Sequence, residues 1–171
     1  MKLTRCDVVR VRTLQLISVL ATRDEKMNIR VATRADISEL GRVRMSVKEN
    51  RLSDLSVLKP GDTERMLAGD GCGWVCEIDG RIVAFAMADL SGTNVYALFV
   101  EPAYEGRGVG RRLHDTMMNW FFAAGVPEVW LSTDPNTRAE SFYRRAGWTA
   151  SGTRPNGEIR FEMSRDEQPG T

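Results

Sequence analysis

Three glycines and three arginines share one short stretch: Gly106, Gly108 and Gly110 are interleaved with Arg107 and Val109, and Arg111 and Arg112 follow directly. The run from Asn94 to Glu101 before them reads as a strand ended by Pro102, and the residues after them as a helix opening on Arg111 and Arg112. A glycine loop at a helix start leaves backbone N–H groups without partners at the positive end of the helix dipole. Without Cβ atoms the backbone can close on a bulky phosphate group, and the arginines add mobile charge around it. The chemistry expected of this stretch is therefore the binding of a phosphorylated ligand.

Fine spacing excludes two common phosphate loops. A dinucleotide fingerprint needs a third glycine three places after the second, but those places hold Arg111 and Leu113. A Walker loop needs Lys followed by Ser or Thr after its last glycine, and Arg111 and Arg112 stand there.

The stretch LFVEPAYEGRGVGRRL resembles motif A of the GNAT superfamily, the acyl-CoA-dependent N-acetyltransferases. In that motif (Gln/Arg)xxGxGxx(Gly/Ala) follows a strand ending in VxP; here Val100, Pro102, Gly108 and Gly110 match. Glu105 replaces the usual Gln or Arg, and Leu113 the usual small residue. A separate segment, NTRAESFYRRAGW, resembles the family's NxxAxxFYxxxGF through Asn136, Ala139, Phe142, Tyr143 and Gly147, with Trp148 for Phe.

The resemblance implies an enzyme that transfers an acetyl group from acetyl-CoA, its co-substrate, to a primary amine. Arg107, Gly108, Val109, Gly110, Arg111 and Arg112 would cradle the diphosphate. Acyl transfer from a thioester needs a neutral amine, a stabilised oxyanion and a proton for the departing thiolate. In the family a backbone N–H at a bulge in the fourth strand meets the oxyanion, a place that corresponds to Phe99 or Val100, and the pantetheine arm lies along that strand. Tyr143 holds the position of the general acid, a phenol near pKa ~10 facing a thiol near ~8.5; the plainer alternative is a ring that packs and caps a backbone carbonyl. Asn136 would hydrogen-bond the cofactor's amides or serve as N-cap of its own helix.

Many relatives carry a Glu six residues before the Val of VxP, and that place holds Asn94, which cannot take a proton but can orient a water. Tyr96 lies on the same strand face. Glu77, Asp89 and Glu101 read as solvated strand-end charges, and His114, the only histidine, as a surface or half-buried structural residue. The acceptor site implied by the fold lies between the first two helices, at Glu49, Asn50, Arg51 and Asp54, and on the last hairpin, at Arg154, Asn156 and Glu158. This mixture of signs suits an amino-acid-like small molecule, with a protein lysine or N-terminus as the alternative acceptor. Transfer is expected to be direct, in a ternary complex, because no Cys stands where an acyl carrier would. The rival reading is an acyl-CoA-binding sensor or a degenerate interaction module.

The elements that must position these residues follow from periodicity and turn signals. Asn28 to Ala32 reads as a strand. Thr33 and Asp36 then open a helix whose apolar face is Ile37, Leu40, Val43 and Val47. Pro60 and Gly61 mark a turn before a short helix near Thr63 to Leu67, which Gly69, Gly71 and Gly73 end. Trp74 to Ile78 and Arg81 to Leu90 form a hairpin about Asp79 and Gly80, followed by the strand from Asn94. After the glycine-loop helix come a strand at Val129 to Thr133, a helix capped by Asp134, Pro135 and Asn136, and a last hairpin of Trp148 to Thr153 with Gly157 to Met163. The expected fold is α/β (α+β), a GNAT-like mixed, mostly antiparallel sheet with helices on both faces.

The chain has 171 residues, enough for one domain. The expected division is an extension at 1–26, rich in Lys and Arg, a domain at 27–166 and a polar tail at 167–171. The formal net charge of +1 argues against nucleic acid or an anionic membrane as partner. Cys6, Cys72 and Cys76 lack CxxC spacing and read as free thiols, with no metal site and a cytoplasmic location. The edge of the last hairpin suggests a homodimer.

Overall fold

The computed structural model describes residues 26–47 and 60–167. Within them, seven strands form a single sheet: β1 (Asn28–Val31), β2 (Gly71–Ile78), β3 (Arg81–Asp89), β4 (Asn94–Val100), β5 (Glu128–Thr133), β6 (Thr149–Thr153) and β7 (Ile159–Ser164). Their order across the sheet is β1-β2-β3-β4-β5-β7-β6, antiparallel except where β4 meets β5. The mixed, mostly antiparallel sheet is the fold class the sequence predicts.

Four helices cover the two faces: α1 (Ile37–Ser46), α2 (Pro60–Arg65), α3 (Val109–Ala123) and α4 (Arg138–Arg145). One apolar cluster joins Val109, Leu113, Met117 and Phe121 of α3, Tyr143 of α4 and its C-cap Ala146 to Ala84 and Ala86 of β3 and Leu131 of β5. The other joins Leu40 and Val43 of α1 and Met66 to Val75, Phe85, Met87 and Ala97. Strand alternation sends successive residues to these two sides, so α1 and α2 share one face and α3 and α4 the other. Leu113 is wholly buried in the first cluster, where its bulk fills the core.

Three boundaries differ from the sequence expectation. Pro60 begins α2 instead of turning the chain before it, because its missing N–H is no loss in a first helical turn. That helix widens into a π turn, Met66–Asp70, and β2 starts at Gly71, so Gly71 and Gly73 are strand residues. Gly71 passes so close to β3 that a Cβ there would lie 2.0 Å from the Ala88 carbonyl oxygen. The third boundary is that of α3, which opens at Val109, two residues before Arg111.

Cys76 is a free, fully buried thiol whose pKa burial pushes up to about 11. Cys72 is disulfide-bonded, which corrects the reading of three free thiols, and Cys6 lies outside the described residues.

Candidate active site

The sheet opens at its middle. β4 and β5 share one parallel pair, Asn94 with Trp130, supported by the Trp130 amide donating to the Thr93 carbonyl at 3.1 Å. From there toward Val100 the ladder does not continue, so the flank of β4 facing β5 is left for another partner.

A bulge decides which amides face this opening. Opposite β3, Val95 pairs with Ala88 and Ala97 with Met87, leaving Tyr96 as an extra residue. Before the bulge, odd-numbered residues turn toward β5, as the Thr93 carbonyl does. After it the sense reverses: the Glu101 amide donates to the Val83 carbonyl of β3 at 2.9 Å, and by alternation the Phe99 and Ala97 amides also address β3. The amides of Leu98 and Val100 therefore face the opening. Of the two sequence candidates, Val100 turns its amide to the opening, whereas the Phe99 amide is used within the sheet. Leu98 was not a sequence candidate, because its selection depends on a one-residue insertion with no composition signal.

The glycine loop ends against the same strand. Gly106 and Gly108 take left-handed φ values of 73° and 80°, which glycine adopts at little cost. Gly108 is the N-cap of α3, with no side-chain cap. The Arg112 amide makes the first intrahelical bond, to the Gly108 carbonyl at 3.0 Å, so the amides of Val109, Gly110 and Arg111 remain unfilled. A Cβ on Gly110 would sit 3.4 Å from Val100, which places the bare helix end beside β4. Around it, Arg112 is exposed, Arg111 pairs with Asp115 at 3.0 Å, and Arg107 lies over the Tyr104 ring. These groups fit an anionic diphosphate. Glu105, negative and close by, is ion-paired with Arg138 at the start of α4, so its charge is matched within the protein.

Tyr143 is 8% exposed, its ring packed against Phe142, Trp148 and Phe161. Burial pushes its pKa above the ordinary phenol value. Among the described residues no group hydrogen-bonds its hydroxyl, and the one sealed, unsatisfied side-chain polar atom is Nε1 of Trp120. The carbonyl-capping alternative is thus absent, and the Tyr143 oxygen is open to solvent or a ligand. Asn136 is not the N-cap of α4. Thr137 is, accepting from the Glu140 amide at 3.2 Å, while Asn136 sits before it at φ 61° with its exposed carboxamide uncommitted.

The other carboxylates near β4 are occupied. Glu101 is buried, not solvated, between Arg42 and Arg81, the latter at 3.1 Å. Glu77 pairs with Arg30 at 2.7 Å, and Asp89 accepts from the Ser91 and Gly92 amides. Asn94 and Tyr96 lie on the face covered by α1. His114 is 2% exposed, more deeply placed than the sequence suggests, and accepts from the Trp148 indole. Glu49, Asn50, Arg51 and Asp54 lie outside the described residues; Arg154 and Glu158 pair at 3.5 Å on the final hairpin. Among the described residues no cluster of three His, Cys, Asp or Glu could hold a metal, and no helix is long and apolar enough to cross a membrane.

Comparison with known sequences decides the family: the model of the acetyltransferase (GNAT) family matches residues 42–148. The chain belongs to this family. Over 75 residues it is 35% identical to a mycothiol acetyltransferase of Beutenbergia cavernae, covering 42% of this chain and 25% of that protein. Over 80 residues it is 34% identical to an uncharacterized N-acetyltransferase of Mycobacterium tuberculosis, covering 44% and 51%. The match thus spans about half or less of these relatives' own length. In fold, the GNAT chain superposes on the PaiA N-acetyltransferase of Thermoplasma acidophilum, solved with coenzyme A. The TM-score is 0.69 at 14% identity, over 81% of this chain and 99% of that one.

Proposed function

We propose that this GNAT protein is an N-acetyltransferase that moves an acetyl group from acetyl-CoA to the primary amine of a small molecule, directly and within a ternary complex. The observation that carries the reading is the juxtaposition at the opening of the sheet. The outward amides of Leu98 and Val100 lie beside the bare first turn of α3, so one ligand can offer its amide groups to the strand and its diphosphate to the helix.

Acetyl-CoA supplies an activated acyl group and a thiolate leaving group. The Val109, Gly110 and Arg111 amides, with Arg112 and Arg107, hold its diphosphate, and the Asn136 carboxamide is available to its amide groups. The neutral amine nitrogen attacks the thioester carbon, forming C–N while the carbonyl oxygen gains negative charge. The Leu98 or Val100 amide donates to that oxygen. When the tetrahedral centre collapses, C–S breaks and the Tyr143 hydroxyl gives its proton to sulfur. The surplus proton of the amine passes to water. Asn94 orients that water, because Glu77, Asp89 and Glu101 are all engaged by other groups.

The test is calorimetric titration with acetyl-CoA, followed by thiol-release assays over a panel of primary amines. Saturable acetyl-CoA binding with amine-dependent thiol release is expected. Binding without transfer to any amine, peptide lysines included, would replace the enzyme with a CoA-binding module.

A further inference from the structure

Among the described residues, Arg44, near the end of α1, is a half-buried cation without a counterion. Its guanidinium carbon lies 4.1 Å from the centroid of the Phe99 ring. Among the described residues no carboxylate, hydroxyl or carbonyl makes a hydrogen bond or ion pair with it. Arg42, two positions earlier, is by contrast held by Glu39, Glu101 and the Ile82 carbonyl, and Arg30 by Asp36 and Glu77. Burial pushes the pKa of Arg44 down, with Tyr96 opposing the shift. A half-buried charge that meets a ring but no carboxylate among the described residues is only partly compensated, and it leaves positive potential directed at whatever enters next to it.

Its position says what that is. Phe99 follows Leu98 and precedes Val100, whose amides face the opening, but its side chain lies on the α1 side, opposite α3. The diphosphate reading occupies the α3 side, so the amine approaches from the face of Arg44, Phe99 and Tyr96. Nearby acidic groups are committed elsewhere or weakly placed: Asp89 holds its own turn, Asp70 pairs with Arg65, and Asp62 acts on Tyr96 without contacting Arg44. One unmatched guanidinium complements one unit of negative charge, and its planar fork fits a carboxylate in two parallel hydrogen bonds.

We infer that the acceptor is a primary amine that also carries a carboxylate, and that Arg44 holds that carboxylate while the amine faces the thioester. The inference rests on the acetyltransferase reading and adds the class of acceptor to it. Arg44 is a specificity residue here, acting through substrate binding and not through proton transfer.

The experiment measures thiol release from acetyl-CoA with matched acids and primary amides. The common α-amino acids, β-alanine, 4-aminobutyrate and 6-aminohexanoate are each compared with their own amide, for the wild type, Arg44→Gln and Arg44→Lys. For the best acid, kcat/KM is expected to exceed that of its amide by about tenfold or more, the worth of a charge-assisted contact. Arg44→Gln should bring this ratio toward one, chiefly through the KM for the acid, and Arg44→Lys should fall between. The KM for acetyl-CoA should stay constant. Amides matching or surpassing the acids in the wild type would overturn the inference without needing either variant. So would an equal fall for acid and amide in Arg44→Gln, since loss of packing over Phe99 does not distinguish them. Acetyl-CoA binding with no acid acetylated would also overturn it and leave the transferase reading standing, whereas failure to bind acetyl-CoA removes both.

Discussion

The indole N–H of Trp148 donates to Nε2 of His114 at 2.8 Å, joining the end of the second motif to the helix that follows the glycine loop. An indole nitrogen only donates, so Nε2 accepts and the ring proton sits on Nδ1, which faces Asp115 at 2.8 Å. Two unusual choices in the sequence, Trp where the family has Phe and a lone buried His, therefore satisfy each other. Trp148→Phe should leave the His114 acceptor buried and unmet, costing about 1–3 kcal/mol in a denaturant titration. Adding His114→Leu to it should cost less than the sum of the two single changes. Strict additivity would mean that the bond contributes nothing.

A second pairing concerns Glu105. Its ion pair with Arg138 ties the loop before α3 to the start of α4, and Arg138 is 74% exposed on its side chain. Exposed pairs contribute little to stability, so Glu105→Gln should leave the melting temperature nearly unchanged while removing a negative charge beside the proposed phosphate site. Acetyl-CoA should bind tighter by up to ~1 kcal/mol, more at low salt. Weaker binding would show that the bridge positions the loop.

Tyr143→Phe keeps the ring among Phe142, Trp148 and Phe161 and removes an oxygen that no group among the described residues hydrogen-bonds. Stability and the KM for acetyl-CoA should hold, while kcat falls by at least about tenfold, the low end for a general acid replaced by water. An unchanged kcat with a working acceptor would take Tyr143 out of the mechanism.

Asp36 links β1 to α1. Hydrogen bonds from Arg30, both at 2.8 Å, hold its pKa down to about 2 against the opposing effect of burial, and Thr33 adds to the lowering. A depressed carboxylate stabilises the fold fully above its unfolded pKa and loses that contribution as pH falls through the folded one. The wild type should therefore exceed Asp36→Asn by about 1–2 kcal/mol above about pH 5, with allowance for partial exposure of Arg30. This difference should fall to a small remainder near pH 2 and vanish only by about pH 1, below both pKa values. Parallel melting curves in buffers across that range check it; a gap independent of pH would assign the effect to shape and not to charge.

Local signals were enough for much of this protein. Hydrophobic period, glycine turns and the Thr33–Asp36 capping box predict the order of strands and helices, and the spacing of Gly106, Gly108 and Gly110 predicts a bare helix end, because each depends on residues within one or two turns of chain. Tertiary contact decided the rest. The choice of Val100 and Leu98 over Phe99 follows from the extra residue at Tyr96, and a bulge is defined by the strand opposite, not by its own sequence. Glu101 reads as a solvated strand end until Arg42, from 59 residues away, closes on it. Arg44 looks like any other arginine on an amphipathic helix. Only the packing of α1 over β4 half-buries it on the Phe99 ring and, among the described residues, leaves it without a carboxylate, because charge compensation depends on which side chains the fold brings within a few ångströms.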